Sequence, residues 1–126
     1  MPLLKNQEIP SSKTIELEPQ IIIQIGKTKF TAFDWSDSEK NDLMLVGDRE
    51  GNVLLIRLIE TNNFEILNSY IFAHNSEITD LKFFPLNDEK TIIFATAGFD
   101  GYLKIFENMN QEIPLFESQL SKVFFF

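Results

Sequence analysis

The chain has 126 residues, 44% of them apolar, and a formal net charge of −8. That is one domain's length with enough apolar content for a buried core. The charge has the wrong sign for a nucleic-acid surface, and the eleven Lys and Arg residues are scattered from Lys5 to Lys122, so direct nucleic-acid binding is not expected.

Cysteine is absent, which removes disulfides and thiolate metal sites from consideration. No stretch approaches the ~20 apolar residues that a bilayer-spanning helix requires, and Met1–Leu4 is too short an apolar run for a signal peptide. No membrane insertion is expected, and the expected location is intracellular, in cytoplasm or nucleus. Thirteen Phe stand against one Trp and two Tyr. Phe brings packing area without a polar tip, which suits a dry interior.

Residues 1–20 carry Pro2, Pro10, Ser11, Ser12 and Pro19 and read as an N-terminal arm. Beyond them come short runs rich in Ile, Val, Phe and Leu, broken by polar residues, which is the pattern of strands. Strands are expected near 21–25, 29–35, 42–47, 52–59, 65–72, 78–84, 91–97, 102–107 and 113–119. No stretch keeps a 3.6-residue apolar period over a helix length. Arg49-Glu50-Gly51-Asn52 and Phe99-Asp100-Gly101 read as tight hairpin turns, because Gly takes positive φ without a steric penalty. Thr61-Asn62-Asn63 and Leu86-Asn87-Asp88 read as looser loops.

The chain also aligns with itself. Phe30-Thr31-Ala32-Phe33-Asp34-Trp35 matches Ile78-Thr79-Asp80-Leu81-Lys82-Phe83 at an offset of 48 residues, and Glu50-Gly51-Asn52-Val53 matches Asp100-Gly101-Tyr102-Leu103 at an offset of 50. Each unit then holds four strands, the repeat length of a four-stranded propeller blade. Leu54-Leu55-Ile56 and Ile92-Ile93-Phe94-Ala95 do not alternate with polar residues. A sheet covered on both faces permits this, whereas a half-exposed one would alternate.

The second unit resembles the WD-repeat family. Ala73-His74 takes the place of the family's Gly-His pair, and Ile78, Leu81 and Phe83-Phe84-Pro85 follow as its first strand. Residues 95–107 run through its second hairpin, with Phe106-Glu107 where the family's Trp-Asp would stand. The first unit departs further, with Lys27 or its neighbours for the Gly-His, Glu50 for the turn Asp and Ile56-Arg57 for the Trp-Asp. The resemblance implies an all-β chain, a β-propeller segment of about two four-stranded antiparallel blades that leaves the propeller incomplete. The expected organisation is an arm over 1–20, a degenerate repeat over 21–64, a second repeat over 65–110, and 111–126 as the possible start of a further blade; the apolar tail Val123-Phe124-Phe125-Phe126 fits that start.

The resemblance also implies a hydrogen-bonded chain that locks the blade, falling here on His74, Thr96, Asp100 and Phe106. Phe106 has no ring N–H, so the chain is expected to stop short of it. Partner-facing positions carried over from the family are Lys29, Thr31 and Arg49 in the first unit and Glu77, Thr79 and Phe99 in the second. The implied function is a non-enzymatic scaffold for protein–protein interaction, as a subunit of a multi-protein assembly or the completion of a partner's propeller. No cofactor and no metal is expected. The alternative is a small all-β hydrolase or ligand carrier using His74, the single histidine, with Asp100 or Asp80. Asp34, Asp37, Glu39 and Asp42 lack the spacing and central Gly of a calcium loop and read as a solvated loop.

Overall fold

The structure, a computed structural model, describes residues 25–36, 42–60, 63–85 and 90–120. Among these residues the regular structure is all strand, arranged as two four-stranded antiparallel sheets. Sheet 1 runs in chain order through β1 (Phe30–Trp35), β2 (Leu43–Asp48), β3 (Val53–Glu60) and β4 (Asn63–Tyr70). Sheet 2 repeats the plan with β5 (Ile78–Phe83), β6 (Ile93–Gly98), β7 (Tyr102–Glu107) and β8 (Phe116–Gln119). The arm over 1–20, the tail Val123–Phe126 and Leu86-Asn87-Asp88 lie outside the described residues, as do residues 21–24 of the expected strand over 21–25.

The register explains the missing alternation. On one face of sheet 1, Leu45 opposes Leu55 and Val53 opposes Tyr70. On the facing side of sheet 2, Phe83 opposes Phe94, which opposes Phe106. These residues join Leu43, Ile78, Leu81 and Ile92 in one buried cluster between the sheets. At its centre Tyr70 meets Phe94 edge-on with ring centroids 5.0 Å apart, and Phe94 and Phe106 stack at 5.9 Å. Such pairs add roughly 0.5–1.5 kcal/mol beyond the area they bury. The opposite faces are apolar as well. Phe33–Val46–Leu54 and Trp35–Met44–Ile56 cross sheet 1, and Ala95–Ile105–Phe116 crosses sheet 2.

The first strands of the two sheets, β1 and β5, are tied by polar contacts. Thr31 Oγ1 donates to the Ile78 carbonyl at 2.5 Å, and Asp34 Oδ2 accepts the Phe83 N–H at 2.8 Å. Gly47 sits where a Cβ would come within 2.6 Å of Ile78 Cγ2, so the absence of a side chain there sets how closely the sheets approach.

Most strand ends fall one to three residues from the expected ones, and Asn63, expected in a loop, opens β4; two of the shifts have a visible cause. β4 ends at Tyr70 rather than at 72, because the wholly buried Tyr70 ring anchors the strand end. The chain then turns through Ile71-Phe72, and Phe72 takes a φ of 54°. β8 begins at Phe116 rather than 113, because Asn110 Oδ1 accepts the N–H groups of Glu112 and Ile113, both at 3.0 Å, and holds a turn there.

Candidate functional site

The hairpin between β6 and β7 turns through Phe99-Asp100-Gly101. Gly101 N–H bonds the Gly98 carbonyl at 3.0 Å and Gly101 takes a φ of 82°. The turn points the Asp100 carboxylate back at His74, in the connection between β4 and β5. His74 Nδ1 lies 2.9 Å from Asp100 Oδ1, and Nε2 lies 2.7 Å from Thr96 Oγ1 on β6. The imidazole and Thr96 are fully buried. Gly98 makes room for the ring, since a Cβ there would come within 2.7 Å of Nδ1.

The protonation states follow from these surroundings. Burial lowers the His74 pKa from 6.5 and outweighs the opposing pull of the Asp100 carboxylate. Burial pushes the other way on Asp100, raising its pKa. The N–H groups of Asn75 and Tyr102 and the His74 ring outweigh that and hold Asp100 below its usual 3.8. The neutral ring therefore donates Nδ1–H to Asp100 and accepts the Thr96 hydroxyl at Nε2. Asp100 also accepts N–H from Asn75 at 2.9 Å and from Tyr102 at 3.1 Å.

His74, Thr96 and Asp100 thus stand together, and Phe106 stands apart from them. Its ring is packed with Tyr70 and Phe94 in the core. The Tyr70 hydroxyl donates to the Glu107 carbonyl at 2.9 Å, and burial raises its pKa.

The first unit has no such histidine, and sequence reasoning missed what replaces it. Asp48 Oδ1 accepts the N–H groups of Glu50 at 3.0 Å and Asn52 at 2.8 Å, while Oδ2 takes the Asn52 side-chain amide at 3.0 Å. The turn so fixed then grips the second unit. Asn52 Oδ1 accepts Phe72 N–H at 2.8 Å, and the Gly51 carbonyl accepts His74 N–H at 3.1 Å. The available signal was Asp48 three residues before Gly51, a carboxylate placed to bond the backbone of its own turn.

The six expected partner-facing residues divide. Lys29 and Arg49 are exposed and meet with Lys27, Thr28 and Glu50 around an open cleft of about 480 Å³. Phe99 is 45% exposed, and its N–H bonds the carbonyl of the half-buried Glu77 at 2.9 Å. Thr79 is half-buried. Thr31 is taken up between the sheets by its bond to Ile78, which departs from the outward role expected of it. Asp34 departs likewise from the solvated loop in which the acidic residues were grouped. It lies on β1, within the strand expected over 29–35, and accepts the Phe83 N–H because the second sheet packs beside it. Asp42 sits 3.4 Å from Arg57, and Asp37 and Glu39 lie outside the described residues.

The same end of the stack carries a feature that the sequence did not announce. Ile71 is 61% and Phe72 68% exposed, side by side in the connection that holds His74. A phenylalanine with positive φ adopts the left-handed region at a cost of roughly 1–2 kcal/mol, and here its ring gains little burial in return.

No protein-family model matches the sequence, and no curated protein matches it. Among solved structures the chain is similar to the computationally designed Ika8 protein, at 12% sequence identity and a TM-score of 0.40, over 82% of this chain. The chain spans 41% of that protein's length. No helix among the described residues is long and apolar enough to cross a membrane.

Proposed function

We propose that this chain is a non-enzymatic protein-binding module of two WD-type blades, acting as a scaffold subunit in a larger assembly. The observation that carries the reading is the state of His74. Its ring is fully buried, and both of its nitrogens are already bonded, one to Thr96 and one to Asp100. A general base needs a lone pair within reach of a substrate proton, and this ring offers none to a substrate. The triad acts as a clasp between the β4–β5 connection and the β6–β7 hairpin, which argues against the hydrolase alternative. The blade assignment is supported by two sheets of four strands in chain order, by their shared repeat and by the turn glycines at equivalent positions.

The binding surface in this reading is the end where the turns gather, with Arg49, Ile71, Phe72 and Phe99. Exposed aromatic and Arg side chains are the types enriched at binding hot spots. A triple variant, Arg49→Glu with Phe72→Ser and Phe99→Ser, tests it. Proteins cross-linked to the wild-type chain in cell extract should be lost from the variant while its circular dichroism is unchanged. An identical set captured by both would overturn the assignment of this surface. Hydrolytic turnover abolished by His74→Ala at unchanged stability would overturn the non-enzymatic reading.

A further inference from the structure

Given the protein-binding reading above, on which this rests, we infer that the bound partner presents an acidic segment with an apolar residue beside its carboxylates, and that Lys27, Lys29 and Arg49 receive those carboxylates. Cations that are scattered along the sequence are gathered by the pairing of β1 with β2. Phe30 lies opposite Asp48, so the next residues outward are Lys29 on one strand and Arg49 on the other. Lys27 and Thr28 join them around the open cleft of about 480 Å³, which Glu50 also lines. Lys27, Lys29 and Arg49 are all exposed. The ion pairs among the described residues are Arg57 with Asp42 and His74 with Asp100, so none of these three cations is paired there. The Asp48 carboxylate, which precedes Arg49 in the chain, is taken up by the N–H groups of Glu50 and Asn52. In a chain of net charge −8, three cations against the Glu50 carboxylate are a local reversal of sign. Charges beyond about 8 Å are largely screened at physiological salt, so a short segment in the cleft meets a positive field despite the acidic whole.

The apolar half of the recognition comes from the same end. Asn52, in the turn that follows Arg49, accepts the Phe72 N–H at 2.8 Å and so ties Ile71-Phe72 to the basic hairpin. Phe72 keeps a φ of 54° with its ring 68% exposed. Disfavoured backbone conformations of this kind gather where a ligand is clamped, and here the conformation holds an aromatic ring out toward solvent. In the second unit Glu77 and Phe99 take the positions of Lys29 and Arg49, so the basic character belongs to the first unit alone. A partner lying across this end meets cations at sheet 1 and exposed apolar side chains at the connection and the Phe99 turn. A long polyanion fits it worse. Nucleic acid carries its charge well past three side chains and onto a chain that is acidic overall. A few carboxylates stay within the cleft, and a neighbouring apolar residue of the same segment supplies the mate that Ile71 and Phe72 lack.

Peptide selection tests this without a partner in hand. A random peptide library displayed on phage is panned on the wild-type chain, and the enriched peptides are synthesised and titrated by fluorescence anisotropy. They should carry several Asp or Glu beside an aromatic or aliphatic residue. Lys27→Glu with Lys29→Glu should weaken them by about tenfold or more, since each reversal removes an attraction and adds a repulsion. Lys27→Arg with Lys29→Arg keeps the charge and should bind as wild type does. Both lysines are exposed, so the circular dichroism of all three proteins should agree. No enrichment, enriched peptides that are neutral or basic, or an affinity that the double reversal leaves untouched would each overturn the inference. So would tighter binding of single-stranded DNA or inorganic polyphosphate than of every selected peptide. Peptides lost from the Arg49→Glu, Phe72→Ser, Phe99→Ser variant but indifferent to the lysines would overturn it while leaving the protein-binding function standing. Peptides that the triple variant also binds at full affinity would remove both.

Discussion

Thr96→Val isolates the clasp from the packing around it. The substitution keeps the branched shape and replaces the hydroxyl by a methyl. Thr96 is fully buried, and its hydroxyl is the donor to His74 Nε2 at 2.7 Å. Removing it strands a lone pair with no water to take over. A buried acceptor left unpaired costs about 1–3 kcal/mol, more than the ~0.5–1.5 kcal/mol of an ordinary net hydrogen bond. The comparison variant is Thr96→Ser, which keeps the donor and loses one methyl, at about 1 kcal/mol. Equilibrium urea unfolding at about pH 8, where His74 is neutral in both states, should therefore rank Val below Ser in stability. Packing alone would rank them the other way, since Val matches the volume of Thr. A Val variant within about 0.5 kcal/mol of wild type would refute the assignment of the Thr96 hydroxyl as donor.

Three further outcomes follow from the same geometry. His74 is the single histidine, so its ring resonance can be followed alone, and its folded-state titration midpoint should fall below 6.5. Since the unfolded chain then takes up that proton first, stability should be complete above pH 6.5 and decline as pH drops from there to the folded pKa, with Asp100 adding a second loss below 3.8; a ring midpoint at or above 6.5 would contradict the dominance of burial. Gly51→Ala should destabilise by more than about 1 kcal/mol, because Gly51 has a φ of 93° and a Cβ would strike the His74 carbonyl; thermal melting checks this, and a neutral variant would refute the docking of that turn. Phe72→Gly should leave stability unchanged or raise it by up to about 1 kcal/mol by relieving the left-handed conformation, where a core Phe would lose about 3–5 kcal/mol on truncation to Ala; a urea midpoint lowered as for a core residue would show that Phe72 is structural.

The strands were legible because their signals are local. Unbroken apolar runs at Leu54-Leu55-Ile56 and Ile92–Ala95, closed by acid–Gly turns, require only nearest neighbours to read. His74, Thr96 and Asp100 could be grouped because the resemblance supplied a spacing. What escaped was whatever depends on the other sheet. Thr31 and Asp34 look like surface residues of an exposed strand until β5 is laid beside them, when both become bonds across the interface. The positive φ of Phe72 escaped for a related reason. Nothing in Tyr70-Ile71-Phe72 marks a turn, and the conformation is held by Asn52, twenty residues earlier in the hairpin between β2 and β3.

That long-range bond bears on how the two units hold together. Sheet 2 carries its own clasp, with His74 reaching Thr96 and Asp100. Sheet 1 has none, and its hairpin, stiffened by Asp48, is fastened to the Phe72–His74 connection instead. The same short connection therefore receives Asn52 and Gly51 from one side and presents the His74 ring to the other. Ordering the ring in sheet 2 fixes the backbone on which sheet 1 docks, so the two units are coupled through three residues as well as through the core between them. Damage to the clasp should accordingly be felt in both sheets: hydrogen-exchange protection in Thr96→Val should fall at Leu45 and Leu55 as well as at Phe94. Loss confined to sheet 2 would mean that the core alone joins the units.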